Sequence, residues 1–129
     1  MILADGFYEW QRTTGRKQPY FVRLKNDQPF GMAGLWELWE RQGEAIESCT
    51  ILTTEANELM EPIHERMPVI IPPDKFNLWL DPNCHHEEKL KELLRPYPSE
   101  EMLAYPVSTI VNDPRNDVPK CIGPADVMQ

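Results

Sequence analysis

At 129 residues, 41% apolar and 26% charged, the sequence has the balance of a folded chain and room for one modest core, not two. No apolar run is long enough to cross a bilayer, and Met1-Ile2-Leu3-Ala4-Asp5 lacks the basic onset and long apolar stretch of a leader, so the sequence reads as cytoplasmic, nucleoid-associated if bacterial. A net charge of −8 argues against broad attraction to nucleic acid, whereas residues 1–25 carry five basic side chains against two acidic ones, so any DNA contact is expected to be local.

In chain order, Gly6-Phe7-Tyr8-Glu9-Trp10 follows an Asp-Gly turn signal and is aromatic, which predicts a strand. Tyr20 to Leu24 predicts a second, and the polar link Arg12 to Lys17 around Gly15 predicts that the two form a hairpin. Phe30 to Trp36 is a third strand, with Gly31 and Gly34 marking a bulge or a close backbone approach. Ala45 to Thr53 is a fourth, after which Thr54 is placed to cap a short helix over Glu55 to Met60. Ile63 to Met67 reads as a loop leading into a buried strand at Pro68 to Ile71. Pro73 starts a helix carrying Phe76, Leu78, Trp79 and Leu80, and Glu87 to Arg95 is an amphipathic helix with Leu90, Leu93 and Leu94 on one face. A last strand begins at Tyr105 to Ser108, and the tail from about residue 112 to 129 is expected to be irregular. Strands first and helices later give an α+β class, with a mixed, mainly antiparallel sheet.

Two side chains stand in unusual company. Glu9 alternates with Tyr8 and Trp10, so it is either a partly desolvated acid/base group or a carboxylate on a wet strand edge. His64 lies in a loop ahead of a buried strand, as a functional group or a hydrogen-bonded spacer. Metal chemistry is not indicated. His64-Glu65 opens like a zinc-protease motif, but Pro68 occupies the position of the second histidine. Cys84-His85-His86 has no partner cluster, and the odd count of Cys49, Cys84 and Cys121, without CxxC spacing, suggests reduced thiols. Trp36, Trp39 and Trp79 read as core or interface bulk, with stacking on DNA as the lesser option.

Taken together, Ala4-Asp5-Gly6-Phe7-Tyr8-Glu9-Trp10, Lys17-Gln18-Pro19-Tyr20-Phe21, Leu52-Thr53-Thr54-Glu55-Ala56-Asn57, Ile63-His64-Glu65-Arg66-Met67-Pro68-Val69-Ile70 and Pro106-Val107-Ser108 resemble, in order and interval, the SRAP (SOS response-associated peptidase) family. The resemblance implies an open barrel-like fold with a few short helices and an enzyme that captures abasic sites in single-stranded DNA. In the family an N-terminal cysteine exposed by methionine removal condenses with the ring-opened aldehyde to close a thiazolidine. A cysteine-type autopeptidase activity and lyase-like chemistry also come with the resemblance. By motif, Glu9 moves protons at the amine and His64 promotes sugar opening, while Thr53 belongs to the pocket and Arg66 meets the DNA backbone. Trp10 and Lys17 are further DNA-contact candidates. No metal, cofactor or membrane partner is implied.

The sequence departs from the family at its start. The Met-Cys-Gly-Arg opening and the Asn-Ala-Arg-type motif are absent, and no internal cysteine offers an amine and a thiol on one residue. This predicts one partial domain over residues 1–129, truncated at the N-terminus by roughly two fifths of a typical domain. Inactivity in isolation and self-association through uncovered strand edges are expected. Two other readings are a non-covalent single-stranded DNA module and a silent fragment completed by another chain.

Overall fold

The computed structural model describes residues 1–13, 15–84 and 86–125, which leaves His85 of the cysteine-histidine run and residues 126–129 of the tail outside the description. The fold is α+β. Among the described residues ten strands form two three-stranded and two two-stranded sheets, all antiparallel and none closed into a barrel.

The first sheet joins β1 (Ile2–Ala4), β4 (Phe30–Met32) and β9 (Ile70–Ile71) in the order β1-β4-β9. The second sets β3 (Arg16–Leu24) between β2 (Phe7–Thr13) and β10 (Met102–Pro106). The expected hairpin is present, with Phe7 opposite Val22, Glu9 opposite Tyr20 and Arg12 opposite Lys17. Gly15 makes its turn at φ +90°, a value that favours glycine. On the central strand β3, Val22 and Leu24 are buried against the main core and Phe21, on the opposite face, against Tyr8 and Tyr105. The main core packs Val22, Phe30, Met32, Met60, Met67 and Ile70 between the two sheets and the loop that succeeds β7 (Thr53–Glu55). Removing a buried methionine such as Met67 is worth about 2–5 kcal/mol.

Several elements differ from expectation. Phe30 to Trp36 is not one strand: Ala33 interrupts it, its N–H bonded to Val69 and its carbonyl accepting from Leu52. Beyond it β5 (Gly34–Arg41) continues and pairs with β6 (Glu44–Ile51). The close approaches at the two glycines are real. A Cβ on Gly31 would run into the Met1 side chain, and one on Gly34 would lie 2.9 Å from Ile2 Cδ1. The helix expected over Glu55 to Met60 is not formed, because Thr53–Glu55 is claimed by β8 (Arg66–Pro68), with Arg66 and Met67 expected as loop and Pro68 expected to open the strand that is β9 alone. Past Glu55 the chain instead makes a series of hydrogen-bonded turns capped by Asn57, whose Oδ1 accepts from Met60 N–H at 3.0 Å, and not by Thr54. The helix after Pro73 runs as α1 (Phe76–Leu80), while α2 (Glu87–Lys91) stops short of Arg95. Trp79 packs on Ala33, Val69 and Ile71. Trp36 and Trp39 are not core: they are 73% and 46% exposed on β5. After Val111 the chain carries a 3-10 turn at Pro119–Cys121 and a bridge from Val107 to Pro124.

Candidate functional site

Strand alternation sets Phe7, Glu9 and Gln11 on one face of β2 and Tyr8 and Trp10 on the other. Phe7 packs on the core, so its face looks inward, and the half-buried Glu9 lies at the margin of that face. The Glu9 Oε1 accepts the Trp10 N–H at 3.0 Å. Gln11, next along, donates from Nε2 to the Pro62 carbonyl at 2.7 Å, tying β2 to the turns that precede His64. Those turns are anchored from the other side by Asn57, whose Nδ2 donates to the Tyr97 carbonyl at 2.6 Å.

His64 is therefore held at both ends of its loop, and its ring is held as well. Glu55 faces Arg66 across the β7–β8 ladder while Ala56 N–H bonds the Glu65 carbonyl, so the N–H and C=O of Arg66 turn away from β7. Both lie 3.1 Å from His64 Nδ1. With Nδ1 accepting the Arg66 N–H the proton sits on Nε2; with Nδ1 donating to the Arg66 carbonyl the ring is either the other neutral tautomer or the imidazolium. In the first arrangement and in the imidazolium Nε2–H is a donor. The Arg66 guanidinium folds back on Thr53, with Nη2 donating to the Thr53 carbonyl at 2.6 Å and to Oγ1 at 2.9 Å. Among the described residues no carboxylate pairs with it, so the cation is oriented but not neutralised.

These side chains share one hollow of about 300 Å³, with Phe7, Met32 and Met67 in its walls and Glu9, Thr53, His64 and Arg66 around it. Polar groups converging over an apolar floor are the usual make-up of a site that positions a ligand. On its other side His64 borders a second hollow of about 320 Å³ with Arg12, Glu61 and Glu65. Trp10 and Lys17 do not reach either hollow. Lys17 is exposed opposite Arg12, and Trp10 donates from Nε1 to Asn112 Oδ1 at 2.7 Å. With Tyr8 it lines a larger hollow, about 490 Å³, between β2 and the segment from Val111 to Ile122. Burial, then Cys121, Tyr105 and Asp117, push the Tyr8 hydroxyl above its usual range, so it stays protonated near neutrality. The larger hollow is thus poorer in acid/base chemistry than the smaller one. Sequence reasoning missed Gln11 and Asn57 as supports; an Asn three residues ahead of Met60 was the available capping signal for the second.

A family model described as "SOS response associated peptidase (SRAP)" matches residues 1–114. The chain is 44% identical over 124 residues to "Abasic site processing protein YoqW" of Bacillus subtilis (strain 168), covering 95% of this chain and 55% of that protein. It is 36% identical over 148 residues to "Abasic site processing protein HMCES" of Gallus gallus, covering 98% of this chain and 44% of that one. Among solved structures, a protein of Bacteroides thetaiotaomicron superposes with a TM-score of 0.85 at 30% identity, over 96% of this chain and 55% of that chain. The chain spans about half the length of the relatives it matches.

Proposed function

The chain belongs to the SOS response associated peptidase family, and from that premise we propose that it supplies the acid/base half of a site that covalently captures abasic sites in single-stranded DNA. The observation that carries this reading is the convergence of Glu9 and His64 on one hollow beside an un-neutralised arginine. An abasic sugar needs its ring oxygen protonated to open to the aldehyde, and His64, when its Nδ1 accepts the Arg66 N–H, donates from Nε2 for that step. The aldehyde carbon is then attacked by a cysteine amine. Glu9 accepts the proton the nitrogen sheds and returns one as the hydroxyl leaves as water. Addition of the same cysteine's thiol to the imine closes the thiazolidine.

Cys49, Cys84 and Cys121 are internal and have no free amine beside their thiol, so the nucleophile comes from a portion of the family domain outside these 129 residues. Arg66 holds the phosphate next to the lesion, Thr53 lines the pocket, and Trp10 and Lys17, on the far face of β2–β3, meet flanking nucleotides. The same Glu9 and His64 would serve cleavage of residues ahead of that cysteine. The chemistry asks for no metal, and among the described residues no helix is long and apolar enough to cross a membrane.

The test is a time course on denaturing gels with abasic and intact strands at fixed salt. The chain alone is expected to give no heat-stable adduct, and joining it to a cysteine-bearing family segment is expected to restore one. In that joined protein Glu9→Gln and His64→Ala should each slow the reaction by about 100- to 10,000-fold, and Arg66→Ala should lower the salt slope of binding by about one. Undiminished rates in both acid/base variants would sink the assigned roles. Equal affinity for intact and abasic strands with no adduct would favour a non-covalent binding module.

A further inference from the structure

Hairpin β5–β6 is the most exposed regular element of the fold: every residue of its strands after Gly34 is exposed, and the two strands pack on each other far more than on anything else. Alternation puts Leu35, Trp39 and Ile46 on one face and Trp36, Leu38 and Ile51 on the other. An isolated two-stranded hairpin is marginal in water, and an apolar surface of this kind on both faces marks a place where other protein packs. Both outer edges of the pair are open as well.

Two observations choose the occupant. The charged positions of the two strands are Glu37, Glu40, Glu44 and Glu47 against a lone Arg41, so a second copy laid hairpin to hairpin brings like charges together, whereas a basic partner is attracted. Nearly all of this chain superposes on only 55% of the Bacteroides chain. Nearly half of that longer chain lies outside the shared part, and apolar surface with open edges is where sheet proteins add strands.

We propose that β5–β6 is the docking surface for the portion of the SRAP domain that has no counterpart in these 129 residues, whichever polypeptide carries it. The partner is extended, apolar on alternate residues and basic between them; it adds strands to the hairpin edges and covers Trp36 and Trp39. This inference rests on family membership and not on the roles given to Glu9 and His64.

Cys49 is a built-in reporter, because it is exposed directly across from Trp36. In a Cys84→Ser background, with Cys121 buried, labelling by a small thiol reagent reads Cys49. The probe is the part of the Bacillus subtilis relative that this chain does not match, with its own cysteines changed to serine, added as a separate polypeptide and also joined ahead of Met1. Labelling is expected to slow at least tenfold and tryptophan emission to shift to shorter wavelength. Trp36→Glu and Ile46→Glu, both at positions exposed in the chain alone, should abolish docking of the separate portion and restore labelling in the joined protein. Unchanged labelling in a folded joined protein would overturn the proposal, as would a dimer of the chain alone that protects Cys49 by itself. If the joined protein with its cysteine retained captures abasic strands while Cys49 stays open, the docking inference alone fails; if Cys49 is covered and no adduct forms, only the catalytic reading does.

Discussion

Arg66 owes its direction to Thr53, which takes two of its hydrogen bonds on the hydroxyl and one on the carbonyl. Thr53→Val keeps the shape and the carbonyl bond but frees the guanidinium to swing, so in the joined protein abasic-strand binding is expected to weaken roughly three- to tenfold while Thr53→Ser stays near the parent. Equal binding by the valine and serine variants in a salt-series titration would show that the orientation does not matter. Tyr97, like Tyr8, contributes to the response to alkali. The Tyr97 hydroxyl donates to Glu101 Oε2 at 3.1 Å, and burial, then that bond and the carboxylate's charge, raise it above its ordinary value of 10.0. The native state then holds the proton more tightly than the unfolded one, so the contribution is complete below the unfolded value and is lost as pH rises through the folded one. Urea midpoints are expected to be flat from about pH 8 to about pH 10 and to fall beyond it, with Tyr97→Phe showing a shallower fall.

Among the elements, the turns that present His64 depend on Asn57, which caps them with its oxygen and pins them to the Tyr97 carbonyl with its nitrogen. Asn57→Ala should cost about 1–2 kcal/mol in denaturant unfolding, and Asn57→Asp, which keeps only the acceptor, should fall between it and the parent. This segment also shows where sequence reading stops. The β2–β3 hairpin was legible because aromatic strands and a glycine turn are local signals, and Gly31 and Gly34 announced their close contacts. Thr53–Glu55 was not legible: its partner strand starts at Arg66, and pairing across that distance overrode a plausible helix start at Thr54. Trp36 and Trp39 read as core or interface bulk, and size alone could not choose between the two; apolar residues on both faces of β5 signal covering without saying what covers. Likewise no spacing rule brings Glu9 and His64 together. Their shared hollow depends on the Gln11–Pro62 bond and the Asn57 turns, and only family resemblance linked the two residues beforehand.

For the whole molecule the governing quantity is charge. A chain of net −8 with only Arg66 and Arg12 beside the hollows is expected to bind single strands weakly. Its log-affinity should fall with log salt at a slope of only about −1 to −2, measured by anisotropy at low ionic strength; a much steeper slope would mean that more of the surface is engaged. The hairpin tip adds a matter of timing. Gln42 and Gly43 both have positive φ, 51° and 86°, so β5 and β6 are joined by the two-residue turn that suits a twisted hairpin. Such a turn closes in about 1–10 μs, whereas a ribosome adds roughly 5–20 residues per second. The tryptophan-bearing ribbon thus forms and reopens many times between successive residue additions, and stays only marginally populated until it is covered. A polypeptide that has already made the covering strands receives it onto a waiting surface, and one that has not must carry it bare through the crowded interval in which newborn chains aggregate. The order of synthesis, as much as the final stability, then sets how much native protein is recovered.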